Sequence, residues 1–148
     1  MQEYSVATHR IGVCTVVRNT NGHYLYVPRF ENPEVGCSAG GGMEFAVEEG
    51  LYKDITTACT AKRELFEETG IDGKVFVFLG VVYEDGKDGV SYATHVYLLE
   101  DPIDPDFPLV PEKGIQPIWV TEEEFVRRAA FPSSEVMLRW ARRFDRIA

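Results

Sequence analysis

The sequence predicts a single α/β domain in which helices and a mixed sheet pack in layers. Three observations carry that expectation: short β-branched runs alternate with stretches of helical period, no internal repeat or linker interrupts them, and the length is 148 residues. That length holds one domain with a proper core and is too short for two of ordinary size, so residues 1–148 are expected to form one unit. With 45% hydrophobic and 26% charged residues, the composition is that of a globular chain able to fold alone.

The elements follow in order. IGVCTVV (11–17) is apolar and β-branched, and an Asn21-Gly22 turn separates it from HYLYVPRF (23–30), so the pair reads as a hairpin that ends or reaches an edge near Pro28. ENPEVGCSAGGGMEF (31–45) is rich in turn formers and reads as a loop closing on Gly40, Gly41 and Gly42. A helix is expected from about Asp54 or Thr56, either of which can cap it, to a stop at Gly70, with Ala58, Ala61 and Leu65 as its apolar stripe. KVFVFLGVVY (74–83) and SYATHVYLL (91–99) predict a second hairpin around EDGKDG. DPIDPDFPLVP (101–111) is too irregular for either period, and IQPIWV (115–120) is one more short strand. Thr121 and Glu124 match a capping box for a short helix at EEEFVRRAA (122–130). Ser133 or Ser134 then caps a helix through EVMLRWARRFDRIA (135–148), with Val136, Trp140 and Phe144 as the stripe laid on the sheet.

Charge narrows the function. A net charge of −9 argues against gripping long nucleic acid, which requires many Lys and Arg against phosphates. No apolar run reaches the roughly 20 residues that cross a bilayer, and the opening MQEYSVATHR lacks the apolar core of a secretory signal, so no membrane role and a cytoplasmic location are expected. Cys14, Cys37 and Cys59 are odd in number and widely spaced, which suggests neither a disulfide framework nor a zinc site, and they read as buried or neutral thiols. His9, His23 and His95 have no metal-ligand spacing either.

The chemistry concentrates in KRELFEETGI (62–71). Glu64, Glu67 and Glu68 stand at offsets of zero, three and four, which puts three like charges on one helical face, where each such pair costs about 0.2 to 0.5 kcal/mol. A hard divalent cation removes that repulsion and leaves room for phosphate oxygens. Gly40 to Gly42, before that helix, let backbone approach an ion or a phosphate closely. Together they describe a metal and diphosphate site.

With its preceding glycine loop, RELFEETGI resembles the signature of the Nudix hydrolases, G-x5-E-x7-R-E-U-x-E-E-x-G-U, where U is a bulky aliphatic residue. Arg63, Glu64, Leu65, Glu67, Glu68, Gly70 and Ile71 match its second half without a gap. The first half departs from it. With Gly41 as the box glycine, 21 residues precede Arg63 where the pattern has 13. The position of the early glutamate is then Ile55, and Asp54, Glu48 and Glu49 are alternative sources of that carboxylate, none of them assigned. Ala39 stands where a proline commonly precedes the glycines.

The resemblance implies an α/β/α sandwich with the mixed sheet between helices, and a pyrophosphohydrolase that directs water onto a phosphorus atom of a small nucleotide. A nucleoside triphosphate or another nucleoside diphosphate derivative is the expected substrate. It implies Glu64, Glu67 and Glu68 as ligands of Mg²⁺, with Mn²⁺ the alternative, helped by a backbone carbonyl near Gly40. Arg63 would orient the carboxylates, Gly41, Gly42 and Glu44 would meet substrate, and Glu112 is the candidate general base. Tyr24, Phe30, Tyr83 and Tyr92 are candidates to stack on a base. A fold that binds nucleotide without turnover is the competing expectation, and a homodimer stays open.

Overall fold

The computed structural model describes residues 9–29, 31–32, 34–43, 45–46, 51–52, 56–85, 89–111 and 115–147. Strand β1 (Arg10–Val16) lies at the centre of its sheet. It pairs in parallel with β8 (Ser91–Leu99) and antiparallel with β4 (Ala39–Gly42), while β8 pairs antiparallel with β7 (Phe76–Asp85). The result is a mixed four-stranded sheet in the order β4-β1-β8-β7. Val13, Cys14, Thr15 and Val16 are all buried, which is why this strand reads as a continuous apolar run rather than an alternation.

A second, antiparallel sheet joins β3 (Gly36–Cys37), β2 (Tyr24–Pro28) and β9 (Ile118–Val120) in the order β3-β2-β9. Two short strands, β5 (Phe45–Ala46) and β6 (Leu51–Tyr52), pair with each other.

The period of two along each strand sorts side chains to opposite faces of the larger sheet. Val13 and Tyr97 pack against Ala61 of helix α1 (Thr57–Thr69), whereas Cys14, Val16, Val96 and Leu98 pack with Met137, Leu138 and Ala141 of helix α3 (Ser134–Ile147). One helix therefore covers each face, and the expected α/β/α sandwich with a mixed sheet is the observed architecture.

Local chemistry sets the helix ends. Of the two candidate caps, Thr56 is the one at the start of α1, its hydroxyl accepting from the Cys59 amide at 3.1 Å; Asp54 lies outside the described residues. Gly70 adopts the left-handed conformation, φ 79°, that ends the helix, and its N–H donates to the Phe66 carbonyl at 2.8 Å. Thr121 accepts from the Glu124 amide at 3.2 Å at the start of α2 (Glu122–Arg128), which stops two residues short of the expected end.

Two expectations need correction. The Asn21-Gly22 turn forms, held by the Asn19 carboxamide accepting from the Asn21 and His23 amides, but its two arms join different sheets. Pairing between them stops at the Arg18–Tyr24 bridge and a Leu25 N–H to Val17 carbonyl bond, because both edges of β1 are taken by β4 and β8. The glycine run is not a loop: Gly40, Gly41 and Gly42 lie in β4, opposite Cys14, Val13 and Gly12. The expected α3 stripe of Val136, Trp140 and Phe144 packs half-buried against the core, beside the fully buried Met137, Leu138 and Ala141. Trp140 gains its place against β7 because Gly80 has no side chain; a Cβ there would come within 2.9 Å of the indole. Among the described residues no helix is long and apolar enough to cross a membrane.

Candidate active site

The buried stripe of α1 decides where its carboxylates go. Ala61 and Leu65 are sealed against the sheet at 1% and 0% exposure, and this seats the adjoining Glu64 and Glu68 over the edge strand β4. A Cβ placed on Gly41 would lie 2.7 Å from the Glu64 carboxyl carbon, so only glycine lets that carboxylate rest on the strand. The Gly40 amide donates to the Glu68 carboxylate at 3.2 Å. At Gly40 itself a Cβ would fall 2.1 Å from the Val13 carbonyl oxygen.

Arg63 supplies the positive charge on this face. Its Nη1 donates to Glu64 Oε1 at 3.0 Å and to Glu67 Oε2 at 3.2 Å, linking the two carboxylates. The Glu67 side chain is 41% exposed against 15% for Glu64, so Glu67 faces outward while Glu64 is tucked against the glycines. The structure therefore brings Glu64, Glu68, Gly40 and Gly41 into one contact set, with Arg63 and Glu67 beside it. Among the described residues no three His, Cys, Asp or Glu side chains are gathered closely enough to hold a metal. The donors nonetheless suit a hard cation in kind: they are carboxylate oxygens of α1, two of them set over the glycines of β4. Glu44 and Glu112 lie outside the described residues, as do Glu48, Glu49 and Ile55.

On the opposite face of the sheet, next to the same glycines, is a cavity of about 560 Å³. It opens because the inward positions of β1 and β8 there are Gly12 and Thr94, too small to reach the segment from Phe131 to Met137 across from them. Glu84 of β7 projects into this space. Its Oε2 accepts from the Thr94 hydroxyl at 3.0 Å, and the Ser133 hydroxyl donates to its Oε1. Arg29 lies over the Phe131 ring, 5.1 Å from its centroid, on the same lining. Cys14 and Cys37 also line it. Burial, reinforced by the charges of Cys37 and Glu84, pushes the Cys14 thiol up, and burial with the Glu68 charge pushes Cys37 up to about 12, so both stay protonated near neutral pH. Cys59, by contrast, is exposed.

Sequence reasoning missed Glu84, Thr94, Arg29 and Phe131. The signal that could have found Glu84 is its position in VVYED: Val82, two residues before it, is buried, so a carboxylate follows on the inward face of a strand. Of the aromatic candidates, Tyr92 lines the cavity, Tyr24 is buried in the core, Tyr83 is 73% exposed away from it, and Phe30 lies outside the described residues.

Comparison with known proteins adds to this geometry. A match to the NUDIX domain spans residues 8–141. Among solved structures, the chain resembles the NUDIX domain of Shewanella oneidensis NrtR complexed with ADP ribose (TM-score 0.71, 18% identity, 97% of this chain and 91% of that one). It also resembles the MutT protein from Methanosarcina mazei Go1 (TM-score 0.69, 21% identity, 94% and 98% covered). A third is the E. coli dihydroneopterin triphosphate pyrophosphohydrolase (TM-score 0.66, 15% identity, 90% and 96% covered). No curated protein matches at the level of sequence.

Proposed function

The chain belongs to the NUDIX family of phosphoanhydride hydrolases, and on that premise we propose that it is a Mg²⁺-dependent pyrophosphohydrolase of small nucleotides, acting in the cytoplasm. The observation that carries the reading is the contact of Glu64 and Glu68 with Gly41 and Gly40, on a strand whose other side borders the cavity. Gly40, Gly41 and Gly42 border the cavity, and Glu64 and Glu68 touch the same strand from its α1 side.

Glu64, Glu67 and Glu68 would hold the divalent cation. When bound, such an ion lowers the pKa of an attacking water and offsets charge on the phosphate oxygens. The chain's own residues do the positioning. Arg63 ties Glu64 to Glu67, and the Gly40 amide fixes Glu68. Water attacks phosphorus, the phosphoanhydride bond breaks, and two phosphorylated fragments leave, or a monophosphate and pyrophosphate. Glu112 is the candidate base for the water's proton.

Nucleoside triphosphates and related diphosphate derivatives are the substrate class. Two of the structural neighbours are described with molecules of that kind, dihydroneopterin triphosphate and ADP ribose. A second reading, a nucleotide-binding module without turnover, draws on the spread of the three carboxylates, which are not drawn to one point.

Hydrolysis of a nucleotide panel with Mg²⁺ separates the two. Glu68→Gln is expected to lower kcat by about 100-fold or more, in the range seen when one transition-state-stabilising group is removed. Mg²⁺ is expected to raise the Tm of the native protein more than that of the variant. Equal rates for native protein, Glu67→Gln and Glu68→Gln would remove the site from the mechanism.

A further inference from the structure

We propose that Glu84 selects the base: the cavity is shaped for a ring carrying adjacent N–H donors, a ring N–H beside an exocyclic amino group, as guanine and pterins present. The inference rests on the hydrolase reading for its context but concerns recognition alone. Glu84 is a half-buried carboxylate at the end of a cavity large enough for a nucleotide, and it is set there by two hydroxyls, Thr94 on one oxygen and Ser133 on the other.

Each carboxylate oxygen offers more than one acceptor site, so each keeps capacity for a further donor after accepting from its hydroxyl. A carboxylate pinned at both oxygens cannot swing away, and it faces the cavity as a fixed pair of acceptors about as far apart as two neighbouring N–H groups. Adenine presents a ring acceptor beside its amino group, which sets a lone pair against the charge. Hypoxanthine keeps the ring N–H and lacks the amino group, and so satisfies one oxygen of the two.

The rest of the lining agrees with a flat heterocycle. Arg29 and Phe131 supply planar surfaces at one wall, and Tyr92 another ring, while Gly12 leaves the floor free of side chain. The glycines Gly40 to Gly42 border the same space and meet Glu64 and Glu68 on their α1 side.

The test uses the full-length protein. Binding of GMP, IMP, AMP and neopterin monophosphate is measured by calorimetry without metal, and hydrolysis of GTP, ITP and ATP with Mg²⁺. GMP is expected to bind about 10-fold or more tightly than IMP, and AMP more weakly still, in keeping with the strong rejection of analogues that leave a buried polar group unpaired. Glu84→Gln, which keeps the shape and an acceptor for one hydroxyl, is expected to bring the GTP to ITP ratio of kcat/KM toward one, through KM rather than kcat. Tighter binding of neopterin monophosphate than of GMP assigns the site to a pterin; the reverse assigns it to guanine. Discrimination in binding with no turnover of any triphosphate retains this inference and overturns the hydrolase reading instead. Equal binding of GMP, IMP and AMP by the native protein, which requires no variant to fold, overturns the inference. So does a Glu84→Gln protein that weakens all three alike, since a purely structural contact to Ser133 has that signature.

Discussion

The two faces of the four-stranded sheet differ in how fully they are packed, although one helix covers each. Under α1 the inward residues are Val13, Ala61, Leu65 and Tyr97, all buried, and the surface they make is closed. Under α3 the apolar packing of Val96, Leu98, Met137 and Leu138 gives way, toward Gly12 and Thr94, to the cavity of about 560 Å³. The closed face works as a mount: by burying Leu65 it fixes the neighbouring carboxylates against β4. The open face leaves room for a ligand, and the glycines of β4 are where the two meet.

The largest expected effect comes from opening the closed face. Leu65→Ala removes a fully buried side chain and is expected to cost about 2–5 kcal/mol, read by urea unfolding. It also loosens the turn that carries Glu64 and Glu68, so activity should fall at temperatures where the protein is still folded. Comparable activity in the folded variant would mean that the mount does not set the carboxylates.

Gly41→Ala tests the meeting point. The added Cβ cannot coexist with the Glu64 carboxylate at 2.7 Å, so that carboxylate must swing off the strand while the backbone stays in place, and stability should change by less than for Leu65→Ala. Hydrolysis should fall by about 10-fold or more while nucleotide binding in the cavity changes less.

The smallest effect belongs to the open face and to pH. The Cys37 thiol, raised from its ordinary 9.0 to about 12, keeps its proton in the folded chain when the unfolded chain has lost it. Stability tied to this thiol is therefore complete below about pH 9 and declines as pH rises toward 12, by about 1 kcal/mol at pH 10. Cys14, raised in the same direction, adds to the slope. Cys37→Ser, followed by urea melts between pH 8 and 10, should flatten it. An unchanged slope would show that other groups govern alkaline stability.

What could be read from the residues divides along the reach of the interactions. Caps were legible because they are local: Thr56, Gly70 and Thr121 act on amides and carbonyls within four residues. The 91–99 strand and its partner at 76–85 were legible for the same reason, being neighbours in sequence. The separation of the two arms of the Asn21-Gly22 turn is not legible locally, because the rival partners of β1, Ala39–Gly42 and Ser91–Leu99, are remote, and nothing in IGVCTVV names them. The glycine run carries no strand signal because strand propensity is mostly side-chain packing, which glycine lacks; its pairing with β1 is a backbone fact. The helix carboxylates stood out through their spacing. The cavity did not, since it is made where Gly12 and Thr94 fail to fill space, and an unfilled volume leaves no pattern in a sequence.

Strand β4 is also the outermost strand of its sheet. Such margins normally attract other chains, and proteins protect them with prolines, lysines or bulges. Here the Gly40 amide, a group that could recruit a stranger's carbonyl, is occupied by Glu68, with Glu64 alongside it over Gly41. Negative charge drawn up to an unadorned margin repels the carbonyl oxygens of an intruding backbone. The acidic pair proposed for the chemistry thus also charges the edge of the sheet, and neutralising Glu68 is expected to cost solubility as well as turnover.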